Sequence, residues 1–238
     1  PLYSDMTVTG FLGFTAEVRG LRGEEKKKAV NRAIEMCFLE KVVHQSIDTL
    51  SKGYRHRTCF AQAILHDPQV LIMDEPTDGL DPNQKHEMRS LIRRMGEKKA
   101  IVFSTHILEE VEAACSRAIV IDRGQIVANG TPKELKQRSD LAGTVLLRVA
   151  GLSASALQQT LASASAVRKL SVLEETPGGV CARIFPQAKS ENGALARQLF
   201  ETALKSSWKL EELHTEEGRL DDVFRNITLS DTAKEARA

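Results

Sequence analysis

Val70-Leu71-Ile72-Met73-Asp74-Glu75-Pro76-Thr77 is the stretch on which the reading of this chain turns. Four apolar residues bounded by turn-formers read as a short strand, apolar on both faces and so buried in a parallel sheet. The two acids follow at its carboxyl end, the edge where open α/β sheets bind ligands. Successive side chains of a strand point to opposite sides, so the carboxylates can take different tasks. One can hold Mg²⁺, a hard cation that prefers oxygen ligands. The other can orient or deprotonate an attacking water. For Asp-Glu alone, an acidic loop after a core strand is the plainer reading. The residues on either side weigh against it.

Upstream, Leu50-Ser51-Lys52-Gly53-Tyr54 opens a helix over residues 54–65 that His66-Asp67-Pro68 ends. A serine and a glycine before a helix leave backbone N–H groups facing outward at the positive end of its dipole, which suits an anion. Ser and Gly are also ordinary N-cap residues, so this feature gains weight only from its neighbours. Downstream, Asp78-Gly79-Leu80-Asp81-Pro82 leads into a second helix with Pro in its first turn and Met88, Leu91, Ile92 and Met95 as its apolar stripe. Residues 100–103 read as a second buried strand, with Ser104-Thr105-His106 just past it. Two strand ends thus deliver Asp74, Glu75 and His106 to one sheet edge, which favours phosphate sensing over a structural histidine.

Residues 1–49 read as a small helical lobe. Thr7 caps a segment carrying Val8, Phe11, Leu12 and Phe14, which Gly20-Leu21-Arg22-Gly23 breaks. Ala29, Val30, Ala33, Ile34, Cys37 and Phe38 form the next stripe, and Lys26-Lys27-Lys28 is a solvated helix face. A helix over 107–115 follows His106. Then comes a β-hairpin of residues 118–121 and 125–128 across Asp122-Arg123-Gly124. Thr131-Pro132-Lys133-Glu134 has the form of a capped helix start. Beyond Ser139 the pattern becomes strand (144–149), helix (154–161), strand (167–172), strand (180–185), helix (194–204), strand (208–213). This β-α-β-β-α-β order predicts a ferredoxin-like α+β domain, without clustered His, Cys or acid and hence without assigned chemistry. Leu220, Val223, Phe224 and Ile227 predict an amphipathic helix docked on a neighbour, and 231–238 a frayed, disordered polar tail.

Composition bounds the function. With 42% hydrophobic residues and a formal net charge of +1, the 238-residue chain has globular composition and no strongly basic face for nucleic acid. Cys37, Cys59, Cys115 and Cys181 show no metal-ligand spacing and are expected as reduced, buried thiols. No apolar run approaches the roughly 20 residues of a membrane span.

In order, LSKGY (50–54), VLIMDEP (70–76), DGLD (78–81) and STH (104–106) resemble the signature motif, Walker B strand, D-loop and switch histidine of ABC transporter ATPases. The resemblance covers about residues 1–138. The tail EELHTEEGRLDDVFRNIT is similar to the extension of ATPase subunits of ABC-2-type exporters in the gliding-motility and multidrug branches. What it implies is an α/β P-loop NTPase fold over 1–138, with the helical lobe at 1–50 and the motif core at 51–138. An accessory ferredoxin-like domain would occupy 139–230. It also implies ATP and Mg²⁺ as cofactors, with Asp74 supporting the metal, Glu75 polarising water and His106 contacting the γ-phosphate. Ser51, Lys52 and Gly53 would hold ATP bound mainly to a second ATPase subunit, a homodimer being the expectation, and Asp81 would couple the two sites. The partner implied is a membrane-spanning ABC-2-type permease, with the chain peripheral on the cytoplasmic face and no nucleic acid bound.

Lys52 stands where many members have Gly and Tyr54 where they have Gln, as in exporter subunits of this branch. No G-x-x-x-x-G-K-[ST] loop occurs in the sequence. The expectation is therefore an N-terminally truncated ATPase, inactive alone. Two other readings stay open: a soluble non-transport ABC ATPase, and a non-catalytic regulator that lends its signature in trans.

Overall fold

Thr7 starts the fold by accepting a hydrogen bond from the Gly10 amide, which caps α1 (Val8–Val18). Val8, Phe11, Leu12, Thr15 and Ala16 then fall on one buried face. α2 (Gly23–Met36) presents the small residues Ala29, Val30 and Ala33 to it, so the two helices pack closely. Its acids Glu24 and Glu25 sit in the first turn, where they complement the helix dipole. Lys26 reaches Glu17 at 2.6 Å, an exposed pair that water and salt screen, so it adds little to stability. α3 (Lys52–Ile64) completes the helical lobe, burying Phe60, Ala61 and Ile64.

β1 (Val70–Asp74) and β2 (Ala100–Ser104) pair in parallel, with α4 (Pro82–Gly96) as the crossover between them. α5 (Leu108–Ala114) follows β2. This computed structural model describes residues 2–162, 164–188 and 193–228; the tail expected at 231–238 lies outside them. The chain divides into two units, Pro1–Cys115 and Ser116–Ala238.

Two expectations need correction. Strands β1 and β2 are not buried on both faces. Leu71 is buried, and Met73, Ile101 and Phe103 pack against the helical core, whereas Ile72 is 80% exposed, Val102 60% and Val70 58%. Alternation along a strand sends every second side chain to the other face, and among the described residues nothing covers that face. The cysteines also differ from one another. Cys37 and Cys181 are buried, Cys115 is half-buried and Cys59 is exposed on α3. Burial pushes the Cys37 thiol up to about 12, so it behaves as a small apolar side chain.

In the second unit, β3 (Ala118–Asp122) and β4 (Gln125–Gly130) form the expected hairpin, turning through Arg123 and Gly124, both with positive φ as the tight hairpin turn requires. α6 (Pro132–Lys136) carries a complete capping box. The Thr131 hydroxyl accepts from the Glu134 amide while the Glu134 carboxylate accepts from the Thr131 amide. The remaining elements are β5 (Val145–Ala150), α7 (Ala154–Leu161), β6 (Val167–Thr176), β7 (Gly179–Pro186), α8 (Ala194–Lys205), β8 (Lys209–Thr215) and α9 (Leu220–Thr228). Their antiparallel sheet runs β6-β7-β5-β8, the ferredoxin-like strand order. Val145, Leu147 and Val149 alternate into a core with Ala182 and Ile184 of β7, Leu157 of α7 and Leu199 of α8. α9 buries Leu220 and Val223 and packs on α6.

Glu216, just past β8, ties the strand ends together. Arg183 donates to both of its oxygens and Thr144 donates to Oε2. Burial pushes the Glu216 carboxyl up, but the Arg183 guanidinium and Thr144 hydroxyl outweigh this and hold it below its ordinary 4.5. A carboxyl depressed in the folded state stabilises above its unfolded value and loses that contribution as pH falls through the folded one.

Leu147→Ala should lower the stability of this sheet by about 2–5 kcal/mol, read from urea unfolding through the fluorescence of Trp208, which packs on the same core. Between about pH 6 and about pH 3 the same midpoint should fall more steeply in the native protein than in Glu216→Gln. Equal slopes would remove Glu216 from the acid response.

Candidate functional site

In the parallel register of β1 and β2, Asp74 lies opposite Ser104, so both strands end at the same level. The Ser104 hydroxyl donates to Asp74 Oδ1 and accepts from the Glu75 amide at 3.1 Å, while its carbonyl accepts from that amide at 3.2 Å. Glu75 is then turned away from Asp74 by a left-handed backbone, φ +43°, and its Oε1 lies 2.9 Å from His106 Nδ1. With the imidazole proton on Nδ1, the ring donates to the carboxylate and leaves Nε2 facing outward. The structure therefore brings Asp74, Glu75 and His106 together, with each carboxylate held by a different partner.

The second group forms where α3 and α4 begin. Ser51 caps α3, accepting from the Tyr54 amide at 3.4 Å, and Asp81 caps α4, accepting from the Gln84 amide at 2.9 Å. Lys52 Nζ lies 3.1 Å from Asp78 Oδ2. That hydrogen bond and charge hold the Asp78 carboxyl below its usual range. Two glycines lie against the ends of flexible side chains here, and at Gly79 the positive φ is the stronger reason for glycine. A Cβ on Gly53 would meet the Gln84 side chain at 2.3 Å, and one on Gly79, at φ +68°, would meet Lys52 at 2.2 Å.

Beside this group, Lys52, Arg55 and His56 line a concavity of about 590 Å³ with Leu2 and Cys59. Burial, then the charge of Lys52, pushes the His56 imidazole down, so neutral pH leaves it uncharged there. The two groups are joined through the backbone, where the Asp78 amide donates to the Glu75 carbonyl at 3.0 Å.

Sequence reasoning passed over several residues that hold the site. Ser104 was read only as part of the approach to His106, yet it holds the Asp74 carboxylate and the Glu75 backbone amide. The strand register was the signal, because equal strand lengths put it opposite Asp74. Asp78 and Gln84, the contacts of Lys52 and Gly53, carried no signal of their own. Nor did Glu110, which lies in the acid-rich run Glu109-Glu110-Val111-Glu112 and is 1% exposed. Asp74 offers an oxygen ligand suited to Mg²⁺. Among the described residues no group of three or more His, Cys, Asp or Glu could hold an ion unaided. A cation here would need oxygens from a nucleotide and water.

The left-handed backbone at Glu75 costs a residue with a Cβ about 1–2 kcal/mol, less in Gly, which gains part of this back through its freer unfolded chain. Glu75→Gly should therefore stabilise the first unit by a few tenths to about 1 kcal/mol, whereas Glu75→Ala, losing the same carboxylate, should not. Urea midpoints compare the two; equal midpoints would mean the strain relieved is no larger than the unfolded-chain entropy that Gly adds.

Comparison with known proteins agrees with this geometry. The ABC transporter family profile matches residues 3–78. The linearmycin resistance ATP-binding protein LnrL of Bacillus subtilis is 27% identical over 228 residues, 95% of this chain and 71% of that protein. The probable multidrug ABC transporter ATP-binding protein YbhF of Escherichia coli is 36% identical over 139 residues, 58% of this chain and 24% of its own. The uncharacterized ABC transporter ATP-binding protein YxlF of B. subtilis is 35% identical over 136 residues, and the chain spans only 46% of its length. The solved structure of cbiO1 from Clostridium perfringens, described as part of the ABC transporter complex cbiONQ, superposes with a TM-score of 0.52. It is 30% identical, and the match covers 58% of this chain and 55% of that one. The mixed helix and strand build is thus that of the α/β P-loop NTPases, and the chain carries an ABC transporter ATP-binding domain.

Proposed function

We propose that this chain is ATP-hydrolysing machinery of an ABC-2-type exporter, working against a second ATPase subunit, in a homodimer, and driving a separate membrane-spanning permease from the cytoplasmic face. The observation that carries this reading is the division of labour at the ends of β1 and β2. Asp74 is fixed by a serine hydroxyl and Glu75 by a histidine. Phosphoryl transfer to water needs positioning and charge stabilisation more than covalent chemistry. Glu75 orients the attacking water, and His106, once Nε2 also carries a proton, donates from that outer nitrogen to the γ-phosphate while Nδ1 donates to Glu75. Mg²⁺, when bound beside Asp74, neutralises phosphate charge. Ser51, Lys52 and Gly53 offer a hydroxyl, an ammonium and a bare helix start to the γ-phosphate of ATP held by the other subunit. Asp81, capping α4 beside them, links the two sites. Among the described residues no helix is long and apolar enough to cross a membrane, so transport itself falls to the permease.

The sequence holds no G-x-x-x-x-G-K-[ST] loop to cradle the phosphates. In this reading another polypeptide segment supplies it, packing on the uncovered face of Val70, Ile72 and Val102. The 238 residues alone should then show no ATP turnover, but should stimulate an ABC ATP-binding protein that has the loop. Ser51→Ala should cut that stimulation on the order of 10²-fold. Once a loop-bearing segment is joined to this chain, Glu75→Gln should lower kcat on the order of 10²–10⁴-fold. Mg²⁺-dependent turnover by the chain alone would overturn the assignment of the phosphate cradle. Stimulation lost in Ser51→Ala, with joined-chain turnover indifferent to Glu75→Gln, would make the protein a non-catalytic partner.

A further inference from the structure

We propose that Glu110 is a positioning residue that holds Glu75 and His106 in register, acting from behind the sheet edge. Its carboxylate is 1% exposed and bridges two loops with one oxygen each. The Thr77 hydroxyl donates to Oε1, and the Thr105 hydroxyl donates to Oε2 at 2.8 Å. Thr77 lies two residues past Glu75 on the loop leaving β1; Thr105 lies one residue before His106 on the loop leaving β2. Thr105 Oγ1 also accepts from the Ile107 amide at 3.0 Å, so its rotamer is fixed from both sides. On the outer side the two loops are hydrogen-bonded through Ser104 and the Glu75–His106 pair itself. Glu110 is the buried counterpart of Ser104.

The energetics argue against a purely stabilising role. A buried carboxylate is expensive unless its partners are good. Among the described residues the ion-pair partner of Glu110 is Arg89, whose guanidinium stands 3.8 Å away, too far for a hydrogen bond. Arg89 Nε, itself buried, has no hydrogen-bond partner among the described residues. An apolar residue at 110 would avoid both costs. What it could not do is accept from two hydroxyls on two different loops at once. Gln could, because its carbonyl accepts from one threonine while its amide donates to the other.

The consequence for hydrolysis rests on the function proposed above, so the test uses a readout without nucleotide. In the 238-residue chain with isotope-labelled histidine, the His106 ring signal is identified as the one missing from His106→Gln among the six histidines. Glu75→Gln then shifts that signal, and the size of the shift measures how firmly the pair is held. The shift should be retained in a Glu110→Gln background and lost in Glu110→Ala, while His44 and His66 keep their own signals. If Glu110→Ala fails to fold, Thr77→Val, which removes one arm of the bridge, should show the loss. Full retention of the shift in folded Glu110→Ala, or in Thr77→Val, overturns the proposal. Neither result depends on whether the protein hydrolyses ATP.

Discussion

The parallel pairing of β1 with β2 is the constraint on which the site depends. It puts Asp74 opposite Ser104 and so brings two loops, one carrying Glu75 and one carrying His106, out of the sheet at the same level. The register is fixed by Leu71, Met73, Ile101 and Phe103, which must all face the helical core. A slip of one residue in either strand would send its apolar set to the other face and leave Ser104 without Asp74. The core thus decides where the polar residues meet, though none of them is in it.

Several site residues also hold the fold. Ser51 and Asp81 are N-caps, each worth on the order of 1 kcal/mol. These roles do not compete with binding. A serine hydroxyl that accepts from a backbone amide still has its own proton to donate. Ser51 can therefore cap α3 and donate to a phosphate oxygen from the same rotamer. The Lys52–Asp78 pair is different, because an ammonium recruited by a phosphate would have to leave its carboxylate. Both groups are largely exposed, so the pair is weak and releasing it costs little.

Motif residues were the most legible part of the sequence, since Asp74, Glu75 and His106 each follow an apolar run at a sheet edge. The ferredoxin-like order was legible from alternating strand and helix periods alone. The tail of β6 to Thr176 was not, because Glu174 and Glu175 look like loop residues until β7 pairs with them. Burial was the weakest reading. A run such as Val-Leu-Ile-Met does not reveal whether one face or both will be covered, and Ile72 and Leu71 are both strongly apolar but have opposite fates. Glu110 failed for the converse reason: a helix start with acids at 109, 110 and 112 predicts solvation for all of them, and only packing shows which one turns inward.

Glu216 and the carboxylates of the sheet edge are held in different ways, and the difference bears on function. In the second unit Glu216 is locked in a two-pronged pair with Arg183, which neutralises it and depresses its basicity. In the first unit Asp74 is held by the Ser104 hydroxyl and Glu110 by two threonine hydroxyls, while Glu75 meets an imidazole. A hydroxyl orients a carboxylate without cancelling its charge. An arginine in the place of Ser104 would hold Asp74 as firmly, yet leave it a poor ligand for a divalent cation. Positioning by neutral donors keeps the negative charge free for whatever cation and polarised water reach the sheet edge, and this combination of rigidity with uncompensated charge is what metal-assisted hydrolysis of a phosphate requires.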